Sequence, residues 1–379
     1  MRILFLVSRD WTHPASAGGD IQASEWARFL SMKGHSVTYV CSRYRGCETE
    51  ESIDGVHIVR LGPTWLFSLK AWNYYLRHCR GKVDLVYEDP IGGSKVPLFG
   101  PLYIKEPMIA VWHQRNSLVF SYQFAPPIAW VLSQLEKALA VLHRNTTIHT
   151  PSTDSAKDIQ SLGFRKENIR VIPISIREEW LNIKVDDKVR EPLVIWLGKI
   201  RRYKCPHHVI LAMKQVCQEY PQAKLIIAGK QEDSKYEIEL RHLAQKIGIQ
   251  ENVIIRTNLT ETEKRDLLLR AKILVLPSPI EGFGIVVLEA NACGTPVIAS
   301  SGVPKDAVQH LNNGLRYPFS DIPVLSRDIL QVLKDDELYR QLCSNSLTFV
   351  HQFAWNNVGV RFEDMVKQMA TQQKSVLKS

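Results

Sequence analysis

Residues 277–296 read PSPIEGFGIVVLEANACGTP. The apolar run Ile273-Leu274-Val275-Leu276 leads into them and ends in a turn punctuated by Pro277 and Pro279, with one carboxylate at Glu281. Gly282-Phe283-Gly284 follows, and then an apolar helical pattern that carries a second carboxylate, Glu289. A strand that passes into a helix through a glycine-rich turn suits phosphate. The glycines let an anion reach the backbone, and the unpaired N–H groups and dipole of the helix start attract it. A carboxylate about one turn inside that helix is too far from the phosphates to repel them strongly, and it can accept hydrogen bonds from sugar hydroxyls. The stretch therefore reads as a site for a nucleotide that carries a sugar.

The order Glu281-Gly282-Phe283-Gly284, then Leu288-Glu289-Ala290 and Gly294-Thr295-Pro296-Val297-Ile298-Ala299-Ser300, resembles the signature of family 4 glycosyltransferases, the group 1 glycosyl transferases. The resemblance implies α/β architecture of the GT-B type: two facing Rossmann-like domains with parallel sheets and a C-terminal helix crossing back to the first. It implies a retaining enzyme in which Glu281 approaches the donor sugar and Glu289 binds the ribose hydroxyls. The backbone of Gly282, Phe283, Gly284 and Ile285 is implied to meet sugar and diphosphate. Two carboxylates also serve glycosidases, where the pair flanks one bond at roughly 5 to 9.5 Å. Here one acid precedes the helix and the other lies inside it, so they address different ends of one ligand, and hydrolysis is set aside.

A chain of 379 residues is long enough for two domains, each with its own core. Its apolar share of 45% and charged share of 23% suit an ordinary globular protein rather than a disordered or membrane-spanning one. The net charge of +9 suits anionic partners, either phosphorylated ligands or an anionic membrane. Nucleic acid is disfavoured, because no RRM-like or zinc-finger spacing and no Lys/Arg block is present. Seven cysteines without a CxxC pair fit a reducing, cytoplasmic compartment and no structural zinc. No apolar stretch approaches the roughly 18 residues of a membrane span.

Ile3–Val7 reads as a first buried parallel strand, too short for a leader core. A polar turn holding Gly18-Gly19 and a helix that stops at Gly34 lead to a second strand at residues 36–40. By the resemblance, Gly18 and Gly19 line the cleft near the donor diphosphate and the acceptor. Residues 84–88 and 108–112 read as further strands, each ending in a polar residue where an α/β cleft lies. His113 follows the second of these directly. The family places a polar group there, near the transferred sugar, which makes His113 a catalytic candidate. Residues 126–143 form an amphipathic helix. Residues 147–150 and 169–173 supply two more strands.

Residues 55–83 carry Arg60, Lys70, Arg77, Arg80 and Lys82 among Trp65, Leu69, Trp72 and other apolar side chains, with no acid. That mixture over residues 60–82 suits peripheral contact with an anionic membrane, at the inner face of which a lipid-linked acceptor would reside. A core-packed helix with a solvated basic face is the plainer alternative.

Residues 177–192 are charge-rich and suit a linker. Domains are thus expected at 1–180, joined by a returning helix at 356–372, and at 181–355. Strand patterns resume at residues 193–197, 225–229 and 253–255. Gly198-Lys199-Ile200-Arg201-Arg202-Tyr203-Lys204 after the first of these makes a diphosphate clamp. In the family an arginine stands where Lys199 is, so charge is kept while the planar fork is lost, and Arg201 or Arg202 are candidates to replace it. Lys204 matches the family's second cation and is taken as catalytic as well as donor-binding. Asn258 sits where the family contacts the base. Ser301-Gly302 lacks one glycine of the family's turn, and the tail from Thr371 to Ser379 is expected to fray.

These features favour transfer of a hexosyl group from a UDP- or GDP-sugar to a glycan, lipid-linked or small-molecule acceptor. No metal is expected, because cations of the chain face the diphosphate and no Asp-x-Asp motif is present. A sugar-nucleotide epimerase and a catalytically silent nucleotide-sugar-binding module remain open. A nicotinamide oxidoreductase is disfavoured by the lack of GxGxxG.

Overall fold

The computed structural model describes residues 1–92, 96–185 and 190–376, with side chains as far as Thr371. The chain divides into two compact units, 1–117 with 130–175 and 355–379, and 118–129 with 176–354.

The first unit is built on strands β1 (Arg2–Leu6), β2 (Ser36–Cys41), β3 (Glu50–Ile53), β4 (Val56–Arg60), β5 (Leu85–Glu88), β6 (Met108–Val111), β7 (Thr147–Thr150) and β8 (Ile169–Val171). They lie in the order β3-β4-β2-β1-β5-β6-β7-β8. All neighbours run parallel except β3 against β4. The continuous apolar strand patterns follow from this, because helices cover both faces of such a sheet. The order reverses between β1 and β5, which opens a crevice beyond their carboxyl ends.

The second unit is a wholly parallel sheet of β9 (Glu191–Leu197), β10 (Lys224–Gly229), β11 (Val253–Thr257), β12 (Ala271–Leu276), β13 (Val297–Ser300) and β14 (Gly314–Tyr317), in the order β11-β10-β9-β12-β13-β14. Its switch point lies between β9 and β12, so the loops after these two strands meet. Residues 198–205 and 277–284 occupy those loops.

The last helix, Trp355–Val376, belongs to the first unit. Its Phe362 ring stacks on Trp26 at 4.2 Å and Trp355 stacks on Phe29 at 5.1 Å. It continues to residue 376, past the start of the tail expected to fray, while 377–379 lie outside the described residues, as do 186–189 of the expected linker.

Several expectations need correction. Arg60 is not a membrane-facing cation: it is fully buried, its Nε 2.7 Å from Asp10 Oδ2, with Glu51 on the same guanidinium. It ends a strand of a hairpin whose polar edge strand, Glu50–Ile53, lacks the apolar run that marks a strand in sequence. Glu88 does not face a crevice either. It is buried, accepts from Gly100 N at 2.9 Å and lies 3.2 Å from His143 Nε2. Residues 118–129 group with the second unit rather than the first, where Tyr122 lines a cavity with Tyr236 and Phe319. Residues 176–180 do the same, because Ile176 bridges to Ala354 and Trp180 packs beneath Lys264.

Of the segment 60–82, helix Phe67–Tyr74 and the π-helical turn Tyr75–Cys79 bury Phe67, Ala71 and Tyr75. Trp65, Leu69 and Trp72 stand exposed beside Lys70, Arg77, Arg80 and Lys82. Helix Pro126–Leu142 turns Ile128, Trp130 and Val131 outward, so its exposed face is also apolar. Among the described residues no helix is long and apolar enough to cross a membrane.

Candidate active site

In the second unit the loop after β9 forms a single 3-10 turn, Arg202–Lys204, closed by Lys204 N on Arg201 O at 3.1 Å. Cys205 then adopts φ +50°, and Pro206 starts the helix Pro206–Glu219, where its missing N–H is not needed. This geometry delivers the Lys204 side chain to the turn after β12, where Nζ donates to Glu281 Oε1 at 2.5 Å. Burial lowers the pKa of Lys204, but the charge of Glu281 more than offsets it and holds the ammonium above its ordinary value.

The turn itself is pinned from behind. Glu281 N donates to Gly302 O at 3.0 Å, and Ser300 Oγ bonds Ser278 O. A Cβ at position 302 would stand 2.2 Å from Pro279 O, so this glycine is the one the packing requires. Ser301 is exposed and its Oγ accepts from Phe319 N at 3.0 Å, so a side chain is accommodated at this position. Gly284, at φ +97°, caps the helix Ile285–Ala292. Phe283 faces inward against Phe353 with ring centres 5.3 Å apart, so only its backbone is left for a ligand. Ile285 is the first residue of that helix.

Glu289 is buried one turn further on. Its Oε1 accepts from Lys264 Nζ at 2.8 Å, while Oε2 has no hydrogen-bond partner. Burial opposes the Lys264 charge, and Glu289 with Glu261 overcomes it to keep the ammonium above its usual range. Lys264 had no marker in the sequence. It lies 25 residues from Glu289, on helix Glu261–Arg270.

Lys199 is brought to the same edge but is not free. Its Nζ lies 2.9 Å from Glu232 Oε1, and Arg201 pairs with the same carboxylate. Burial lowers the pKa of Lys199 against the pull of Glu232. Arg202, a candidate fork, turns away to Glu239 and lies over the Tyr236 ring. Asn258 is exposed in the left-handed region at φ +57°, and its N–H donates to Gly229 O at 2.9 Å.

In the first unit Gly18 and Gly19 open the helix Gly18–Met32 rather than preceding it. A Cβ on Gly19 would lie 2.7 Å from His113 Nε2, whereas Gly18 has open space. Burial lowers the His113 pKa, so a neutral imidazole is favoured. Its Nε2 is buried without a hydrogen bond and faces Asp89 Oδ2 at 3.9 Å. Asp89, just past β5, was not foreseen. Burial raises its pKa to about 6 against the hydrogen bonds from Gly92 and Ile91. A neutral imidazole beside a carboxyl poised near neutrality can accept, hold or return a proton.

Residues 179–348 match the family model described as glycosyl transferases group 1, and residues 17–180 match that of glycosyltransferase family 4. A D-inositol 3-phosphate glycosyltransferase of Streptomyces bingchenggensis is 28% identical over 179 residues, which are 45% of this chain and 39% of that protein. The matches span only 39% to 46% of the length of the first three curated relatives. Sucrose-phosphate synthase from Thermosynechococcus elongatus superposes with a TM-score of 0.76 at 21% identity, over 98% of this chain and 99% of that one. HepE from Anabaena, solved with UDP and glucose, gives 0.74 at 18% identity, over 97% and 100%. These likenesses establish the GT-B fold.

Proposed function

The chain belongs to the family 4, group 1 glycosyltransferases, and from that premise we propose that it moves a hexosyl group from a nucleoside-diphosphate sugar to an acceptor hydroxyl with retention at the anomeric carbon. The observation that carries this reading is the Lys204–Glu281 pair, an ammonium and a carboxylate 2.5 Å apart between two helix starts at the switch point of the second sheet. The diphosphate lies at the Gly282–Gly284 turn. Lys204, assisted by Lys199 once a phosphate oxygen replaces Glu232, meets its charge. The free Oε2 of Glu289 accepts from a ribose hydroxyl, and Glu281 approaches the sugar.

The bond between the anomeric carbon and the β-phosphate oxygen breaks, and the acceptor oxygen bonds on the same face. The acceptor proton passes to the departing phosphate. Negative charge on that phosphate grows during the step, so the cations bind the transition state more tightly than the ground state. His113 and Asp89, both in the first unit, are assigned to the acceptor in this scheme. The cations of the chain make a metal ion at the diphosphate unnecessary, so turnover should not depend on added Mg2+ or Mn2+.

UDP is the first nucleotide to test, because HepE was solved with it. The acceptor is a glycan, a lipid-linked molecule or a small molecule, reached from the cytoplasmic face. The deciding experiment is a thermal-shift screen of UDP- and GDP-sugars, followed by transfer assays with the selected donor and Glu281→Gln. One donor should stabilise both chains while only the wild type turns it over with an acceptor. No stabilisation by any sugar nucleotide, or normal turnover by Glu281→Gln, overturns the reading.

A further inference from the structure

Immediately after Lys204 the chain reads Cys205-Pro206-His207-His208. One ligand atom each from Cys205, His207 and His208 can be chosen so that all lie within 4.8 Å of one another. Three features set this cluster apart from ordinary packing at a helix start. It borders a cavity of about 600 Å³, shared with Tyr236 and Phe319. His208 is 8% exposed, and its Nδ1 is buried without a hydrogen-bond partner. His207 Nδ1 is held by the Tyr236 hydroxyl at 2.6 Å, which fixes the ring and leaves Nε2 for a ligand. A histidine oriented through one nitrogen and open at the other is how metal-binding histidines are commonly prepared.

We propose that Cys205, His207 and His208 form a binding site for a thiophilic transition-metal cation of the Zn2+ class, with its fourth position open to the cavity. The donor set selects the metal. One sulfur and two imidazole nitrogens suit Zn2+ or a soft copper ion, whereas Mg2+ and Ca2+ require oxygen. The start of the helix Pro206–Glu219 carries partial positive charge and opposes a bare cation. Ligation by the thiolate offsets this, and the thiol proton leaves to solvent as the metal binds. Because Cys205 directly follows Lys204, an occupied site pins the 3-10 turn that aims Lys204 at Glu281. The site does not depend on the sugar-nucleotide reading.

The test uses the full, tag-free, reduced chain titrated with Zn2+, with Co2+ as an optical probe and Mg2+ as control. A single equivalent of Zn2+ should bind and raise Tm, and Co2+ should give a thiolate-to-cobalt charge-transfer band. Mg2+ should do neither. Cys205→Ser should lose the band, and His208→Asn should lose stoichiometric binding. Tyr236→Phe should weaken Zn2+ about tenfold by releasing His207. Absence of stoichiometric Zn2+ binding, or unchanged binding by Cys205→Ser and His208→Asn, overturns the proposal. Should Cys205→Ser fail to fold, His207→Gln replaces it once its metal-free melting matches the wild type, and an unchanged cobalt band in that chain is decisive against the site.

Discussion

At the scale of the residue, Lys204 is where the fold concentrates its chemistry. Its partner Glu281 is 77 residues away, and the two meet only because β9 and β12 are neighbours at the switch point. Removing the ammonium takes away a charge whose value to the reaction grows as the diphosphate departs. Lys204→Ala should therefore lower turnover by about 100-fold or more and weaken donor binding with it. Initial rates of nucleotide release measure the first and thermal shift the second, and near-normal values in both refute the assignment. The sequence made Glu281, Glu289 and Lys204 legible because they sit at fixed offsets within two short stretches. It hid Lys264, Glu232 and Asp89, whose roles come from neighbours distant in the chain. Lys264 reads as an ordinary helix cation until Glu289 is placed beside it, and Glu232 reads as a surface acid until Lys199 and Arg201 close on it.

At the scale of the element, two short pieces govern behaviour. The turn that carries Glu281 rests on Gly302, and the carbonyls of Ser278 and Pro279 leave no room for a methyl group. Gly302→Ala must push that turn outward, so it should reduce activity more than stability, whereas Ser301→Gly should change neither appreciably. Activity and melting temperature of the two variants decide the point, and a silent Gly302→Ala refutes it. The second piece is the segment from Trp65 to Lys82. Its hydrophobic periodicity was readable, yet the burial of Arg60 just before it was not, because the groups around that guanidinium, among them Asp10, Tyr44 and Glu51, come from separate stretches of the chain. Trp65, Leu69 and Trp72 remain exposed with Lys70, Arg77 and Arg80, and docking of this face on an anionic bilayer is a proposal that flotation tests. Flotation with anionic liposomes should capture the wild type and fail for a chain with Lys70, Arg77 and Arg80 neutralised. Equal capture of both chains sinks the membrane reading for this face, and Trp130→Glu then tests helix Pro126–Leu142 in its place.

At the scale of the whole molecule, the parallel sheets were legible from their apolar runs, but the way the last helix is fastened to the first unit was not. Phe362 and Trp26 enclose His149, an interior histidine that sequence reads only as part of a short strand. His149 Nε2 donates to Ile172 O at 3.0 Å and Nδ1 accepts from the Tyr87 hydroxyl at 3.2 Å, which is the pattern of a neutral ring. Burial lowers its pKa from 6.5 to about 4. A depressed histidine stabilises the fold in full above its unfolded value, and the contribution is lost as pH falls from 6.5 towards 4. At ~1.4 kcal/mol per unit, the loss across that window is about 3 kcal/mol. Asp89, raised to about 6, acts in the opposite direction, since its protonation relieves a penalty of the folded state as pH falls. His207, lowered to about 4, adds to the loss. Both groups persist in His149→Gln, whose amide can donate to Ile172 and accept from Tyr87 without titrating. Urea midpoints of the two chains at pH 7 and pH 4.5 therefore isolate His149. The wild type should lose more of its stability than His149→Gln on acidification, and equal losses would show that the buried ring does not set the acid limit of this unit.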